Sequence, residues 1–158
     1  MNNTPSQEKG LTLLEIIIVV AITAIIAGGV FSMFSAFIMD TQVDDAAQEM
    51  IYALRKANTN TMVRLNDLPW GVRFDDTTSQ FTFFAGSTYA TRAIQYDAVT
   101  ILPTSVTFSQ ISLNGGGKEV VFRKVAGDTA QYGTLKVRST NGKERTITIN
   151  QLGQIEVS

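Results

Sequence analysis

The chain divides into two regimes of hydrophobic patterning. From residue 16 to residue 39 no charged side chain interrupts it, and the run LTLLEIIIVVAITAIIAGGVFSMFSAFIM starting at Leu11 is apolar on nearly every side of a helix. At about 1.5 Å per residue the uncharged stretch would reach roughly 36 Å, longer than a bilayer core of about 30 Å. The apolar positions then narrow to one stripe. Val43, Ala47, Met50, Leu54 and Ala57 recur at steps of three and four, while Asp44, Asp45, Gln48, Glu49 and Lys56 fall mostly on other faces. One helix over residues 11–62 is predicted, with a transmembrane half at about 11–39 and an outer half that lays its stripe on a soluble domain. No proline interrupts it. Gly28 and Gly29 are its weak point, each costing about 1 kcal/mol relative to Ala. They suit a helix–helix contact, a site that partly unwinds, or ordinary tolerated glycines.

Beyond about residue 63 the period becomes two. Trp70, Val72 and Phe74 alternate with Gly71 and Arg73; Phe81 and Phe83 alternate with Gln80 and Thr82; Val106 and Phe108 alternate with Thr107 and Ser109. GTLKVRST and KERTITIN flank Asn141-Gly142, a strong hairpin signal whose two turn positions are both expected at positive φ. Leu152-Gly153 predicts a second turn into residues 154–157. Residues 86–97 show no clean period, and Gly115-Gly116-Gly117 reads as a loop or hairpin tip. The expected fold is α+β: the helix, then a β-rich head over 63–158, a small antiparallel sheet of six to eight strands packed on the helix's outer half.

Residues 1–10 (MNNTPSQEKG) are polar, rich in turn formers and unable to pack, and read as a leader to be removed. Lys and Arg total 13 against 14 Asp and Glu, which argues against a dedicated nucleic-acid binder but not against a local patch. With no cysteine and no histidine, thiolate chemistry, Cys-based metal sites, and the commonest general base and metal ligand are all missing. Asp44-Asp45 and Asp75-Asp76 are adjacent acids without catalytic spacing, and the second pair reads as a turn. They are too sparse to predict a calcium site. No catalytic residue, metal or cofactor is expected.

The informative residues are Lys9-Gly10-Leu11-Thr12-Leu13-Leu14-Glu15. A charge and a glycine precede an apolar run, and a lone carboxylate sits five positions past the glycine. Here the chain resembles the type IV prepilin and pseudopilin class, whose signature is Gly, an apolar residue, Thr or Ser, two aliphatics and Glu. The class most often carries Phe or Met where this chain has Leu11. The resemblance implies cleavage between Gly10 and Leu11 by a prepilin peptidase, and methylation of Leu11. Further implied are assembly with other pilins through an inner-membrane platform, membrane lipid surrounding the helix beforehand, and an extracytoplasmic C-terminal domain on a single-pass inner-membrane protein.

The physical reading of Glu15 agrees. A carboxylate at the end of an apolar helix is costly in lipid, on the order of 2.5–3.5 kcal/mol at mid-membrane and less near the interface. Cleavage would free an ammonium at Leu11, and Glu15 of an incoming subunit is expected to dock on the Leu11 amine of the preceding one and set register. The alternative is a snorkelling or protonated Glu15 without a role. A conventional secretory signal fits poorly, because a carboxylate sits in the apolar core and the cleavage candidate near Ala27-Gly28-Gly29 is weak. A plain single-span anchor for a β domain explains the apolar run but not the Gly10–Glu15 spacing.

Trp70-Gly71-Val72-Arg73-Phe74 and the closing Ile147-Thr148-Ile149…Gly153-Gln154-Ile155-Glu156-Val157 resemble the H-type minor pseudopilin of type II secretion and related minor pilins. The lack of cysteines, where many major pilins close a disulfide loop, points the same way. From Lys118 onward seven basic residues face four acidic ones. Arg138, Lys143 and Arg145 flank the Asn141-Gly142 turn and suit either a cationic tip for DNA phosphates, as in minor pilins of DNA uptake, or solvated charges that protect sheet edges.

Overall fold

The computed structural model describes residues 12–158, without the side chains of residues 29–33, 35 and 36. The chain divides into two compact units, Met1–Phe37 and Ile38–Ser158. Helix α1 runs Leu13–Met62.

In the second unit the stripe read from the sequence is the buried one. Val43, Met50, Leu54 and Ala57 are fully buried, joined by Ala46, Ala47, Ile51 and Ala53. Asp45, Gln48, Glu49 and Lys56 stay exposed. Several polar neighbours of the stripe reach across to the strands or loops. Arg55 donates to the Ile155 carbonyl (3.3 Å) and Asn58 to that of Gly127 (2.5 Å). Fully buried Thr61 closes the helix: its hydroxyl donates to the Ala57 carbonyl (2.8 Å) and accepts the Trp70 amide (2.8 Å), so the first strand begins hydrogen-bonded to the last turn.

Eight strands follow: β1 Trp70–Asp75, β2 Gln80–Ala85, β3 Ala98–Ile101, β4 Val106–Leu113, β5 Glu119–Val121, β6 Gly133–Ser139, β7 Glu144–Ile149 and β8 Ile155–Val157. They form two antiparallel four-stranded sheets rather than one, ordered β3-β2-β1-β5 and β4-β6-β7-β8. Phe74 of the first sheet meets Phe108 of the second edge-on at 6.0 Å, and one core joins the α1 stripe to the inner residues of both sheets. Chain order explains the split. β5 pairs with β1, not with its sequence neighbour β4, so the chain leaves the first sheet after β3, lays down β4, and returns. Gly71 permits that return, because a Cβ there would lie 2.4 Å from the Val120 carbonyl oxygen.

Two short strands, β3 and β5, were not expected. Residues 86–97 hold turns and a 3-10 turn at Ile94–Tyr96, and β3 begins directly after them. The β6–β7 hairpin is where Asn141-Gly142 placed it, but the turn differs. Gly142 alone has positive φ (97°), and its amide donates to the Ser139 carbonyl (2.9 Å). This is a type I turn with a glycine bulge, the three-residue loop, rather than a two-residue turn with both residues left-handed.

Candidate assembly site

The helix start is built by Thr12. Its hydroxyl accepts the Glu15 amide at 3.3 Å and its carbonyl accepts the Ile16 amide at 3.2 Å, so Thr12 is the N-cap of α1 and Glu15 sits in the first turn. Thr followed three residues later by Glu, ahead of an apolar run, is the capping-box spacing. That spacing is a signal in the sequence itself, separate from the Gly10–Glu15 motif that contains it. A first-turn carboxylate also faces the positive end of the helix dipole, so part of what places Glu15 there is intramolecular. The expected cleavage and methylation residues, Gly10 and Leu11, lie outside the described residues.

The described residues of the first unit bury almost none of their aliphatic surface. Leu13 is 80% exposed and Ile25 76%, and the consecutive Ile16, Ile17, Ile18, Val19 and Val20 are all exposed. Five consecutive residues exceed a full turn, so among the described residues nothing covers any face of this part of α1. Such a surface is stable only in an apolar environment supplied from outside. Among the described residues no helix is long and apolar enough to cross a membrane. The transmembrane half expected at about 11–39 is therefore not supported by the structure.

The three basic residues singled out beside the Asn141-Gly142 turn do not stand free. Lys143 Nζ lies 2.9 Å from Asp44 Oδ2 and Arg145 Nε 2.6 Å from Asp44 Oδ1. Arg138 lies 3.5 Å from Glu144, which also meets Lys136 at 3.4 Å and accepts a 3.0 Å hydrogen bond from Ser109. Asn141 donates to Asp40 at 2.6 Å, and Lys143 to the Asp40 carbonyl at 3.3 Å. The hydrogen bonds from Arg145 and then Lys143 hold the Asp44 carboxyl below its ordinary range. The Ser109 hydroxyl first, then the charge of Lys136, do the same for Glu144. The cluster clamps the β6–β7 hairpin onto α1. Its helical half, Asp40 and Asp44, was not identified from the sequence; the only local sign was two acids four apart, hence on one face.

Of the acid pairs, Asp44 joins this clamp and Asp45 does not. Asp75 closes the β1–β2 turn by accepting the Thr77 amide (2.9 Å), and Asp76 pairs with Lys118 (2.6 Å). Among the described residues no group of three or more acids is placed to hold a metal ion.

Residues 5–31 match the family model of the prokaryotic N-terminal methylation motif. No curated protein sequence matches the chain. Among solved structures it resembles the minor pseudopilin EpsH from the type 2 secretion system of Vibrio cholerae. In one structure the TM-score is 0.56 at 15% identity, over 74% of this chain and 96% of that one. In a crystal structure of the same pseudopilin it is 0.57 at 16% identity, over 75% and 94%. The motif and the pilin-like α+β fold together support the type IV pilin and pseudopilin class. At this identity the likeness establishes the fold alone, an α+β pilin-like one.

Proposed function

We propose that this chain is a structural, non-enzymatic minor subunit of a type II secretion or type IV pilus filament. It enters the inner membrane with residues 1–10 on the cytoplasmic side and its β head outside the cytoplasm. Prepilin peptidase hydrolyses the Gly10–Leu11 peptide bond, releasing residues 1–10 and leaving an α-amine on Leu11, which is then methylated. The apolar part of α1 moves from lipid into a bundle of similar helices, exchanging one apolar surrounding for another. During that move Glu15 of the incoming subunit pairs with the Leu11 amine of the preceding one. The observation that carries this reading is the methylation motif lying at the capped start of a helix whose described first turns are apolar and exposed all round, in a chain with the fold of a minor pseudopilin. The pairing of Arg138, Lys143 and Arg145 with carboxylates gives the DNA-contact alternative no support.

The test is the mature N-terminus, read by mass spectrometry of protein isolated from its native membrane. A chain beginning at Leu11 is expected, and a chain retaining residues 1–10 would leave a tethered β module as the better description. Glu15→Ala should still insert and be processed but fail to enter filaments. Normal assembly of that variant would remove the docking role.

A further inference from the structure

The four sheet edges are not protected equally. At the β5 edge the Val121 carbonyl accepts the Thr129 hydroxyl (2.8 Å) and its amide is met by Gln131 (3.3 Å). At β8, Arg55 covers the Ile155 carbonyl and Glu156 adds a charge. The β4 edge is interrupted by a bulge between Phe108 and Gln110. The remaining edge, β3, has the sequence AVTI, with no charge, proline or bulge, and its Val99 and Ile101 are 54% and 72% exposed. Such an edge is a template for another strand.

Its hydrogen-bond phase fixes which groups are open. The Leu102 amide donates to the Ser79 carbonyl (2.9 Å), and β3 pairs with β2 as Ile101↔Gln80 and Thr100↔Phe81. Hydrogen-bonded pairs therefore fall at Thr100 and Ala98, and the amides and carbonyls of Val99 and Ile101 point away from β2. On the opposite face from the Val99 and Ile101 side chains, Ala98 and Thr100 border a cavity of about 280 Å³ floored by Phe81 and Phe83 and walled by Tyr52 of α1. Glu49 and Lys56 stand at it as one acid and one base, so an uncharged strand meets no unbalanced charge.

We propose that β3 accepts an added strand: an uncharged, extended segment from the head of a different pilin-class subunit beside it in the filament. The added strand hydrogen-bonds to Val99 and Ile101 and places an apolar side chain in the Tyr52–Phe81–Phe83 cavity. A second copy paired β3 to β3 is the wrong occupant, because antiparallel self-pairing needs a two-fold axis, whereas neighbours in a filament share one direction and are related by rotation and translation along it. The proposal rests on the filament reading above.

The chain has no cysteine, so Val99→Cys is a unique handle. The full-length variant, in its native membrane, is labelled with a maleimide–benzophenone crosslinker and irradiated, and adducts in the filament fraction are identified by mass spectrometry. The expected adduct is to an extended, uncharged head segment of another pilin-class subunit. Adding Ile101→Lys or Ile101→Pro leaves the β2-facing hydrogen bonds in place and should cut adduct yield about tenfold or more, because Pro removes the outward N–H that the added strand needs and Lys sets a charge on the edge that an uncharged strand must cover. An assembled chain that gives no such adduct, an adduct to a second copy, or a yield unchanged by both Ile101 variants would overturn the proposal. Retention of residues 1–10 with absence from the filament fraction is distinguishable in the same samples and would remove the filament reading itself.

Discussion

Asp44→Asn tests the clamp between α1 and the β6–β7 hairpin. The substitution keeps size and removes the charge that Lys143 and Arg145 share. Exposed ion pairs are each worth about 0.2–1 kcal/mol. Here one carboxylate meets two cations at 2.6 and 2.9 Å, with side chains 28–39% exposed. Solvent screening at that exposure limits the sum to about 1–2 kcal/mol. For a unit spanning Ile38–Ser158, 1 kcal/mol corresponds to about 4 °C, so Tm at pH 7 should fall by about 4–8 °C. The sign of the pH dependence follows from the depressed folded-state pKa of Asp44. Its contribution is full above the unfolded value of about 4 and is lost as pH falls through the lower folded value. Thermal melts of the full-length chain in detergent, followed by circular dichroism, should show variant and wild type well apart at pH 7 and converging as pH falls below the unfolded value of about 4. A variant within about 1 °C of wild type at pH 7, or a gap that persists undiminished in acid, would refute the clamp.

Thr61→Val leaves the buried Trp70 amide without its acceptor and should cost about 1–3 kcal/mol, or about 4–12 °C, whereas Thr61→Ser should retain most of the stability; the same melts check both. Gly71→Ala drives a methyl into the Val120 carbonyl and should destabilise by about 1–3 kcal/mol in denaturant titration, through loosening of β5 from β1. Thr12→Val removes the helix cap, worth about 1 kcal/mol, and should speed hydrogen exchange at the Glu15 amide several-fold, with Thr12→Ser close to wild type.

How far the sequence could be read depended on how local each feature is. The apolar stripe of α1 was legible because burial of one helical face imposes a period on adjacent residues, and Val43, Met50, Leu54 and Ala57 are fully buried as that period requires. The β6–β7 hairpin was legible because its turn chemistry lies between its own strands. The turn type was not, since Gly142 at positive φ satisfies either loop length and the choice is made by how β6 and β7 register. Four-residue β3 and three-residue β5 carry too few residues for any period, and pairing with β2 and β1 makes them strands.

By itself the sequence determined the chain's two-part character, the motif from Gly10 to Glu15 and the face of α1 that is buried, because each follows from spacing between near neighbours. Long-range packing is what sets the strands into two sheets with β3 at an edge, and brings Lys143 and Arg145 onto Asp44. Those residues lie 99 and 101 positions from their partner. No local pattern specifies such a pair; it exists because packing the stripe brings the helix and the hairpin together, and a carboxylate at their junction is most stable beside the cations that packing delivers.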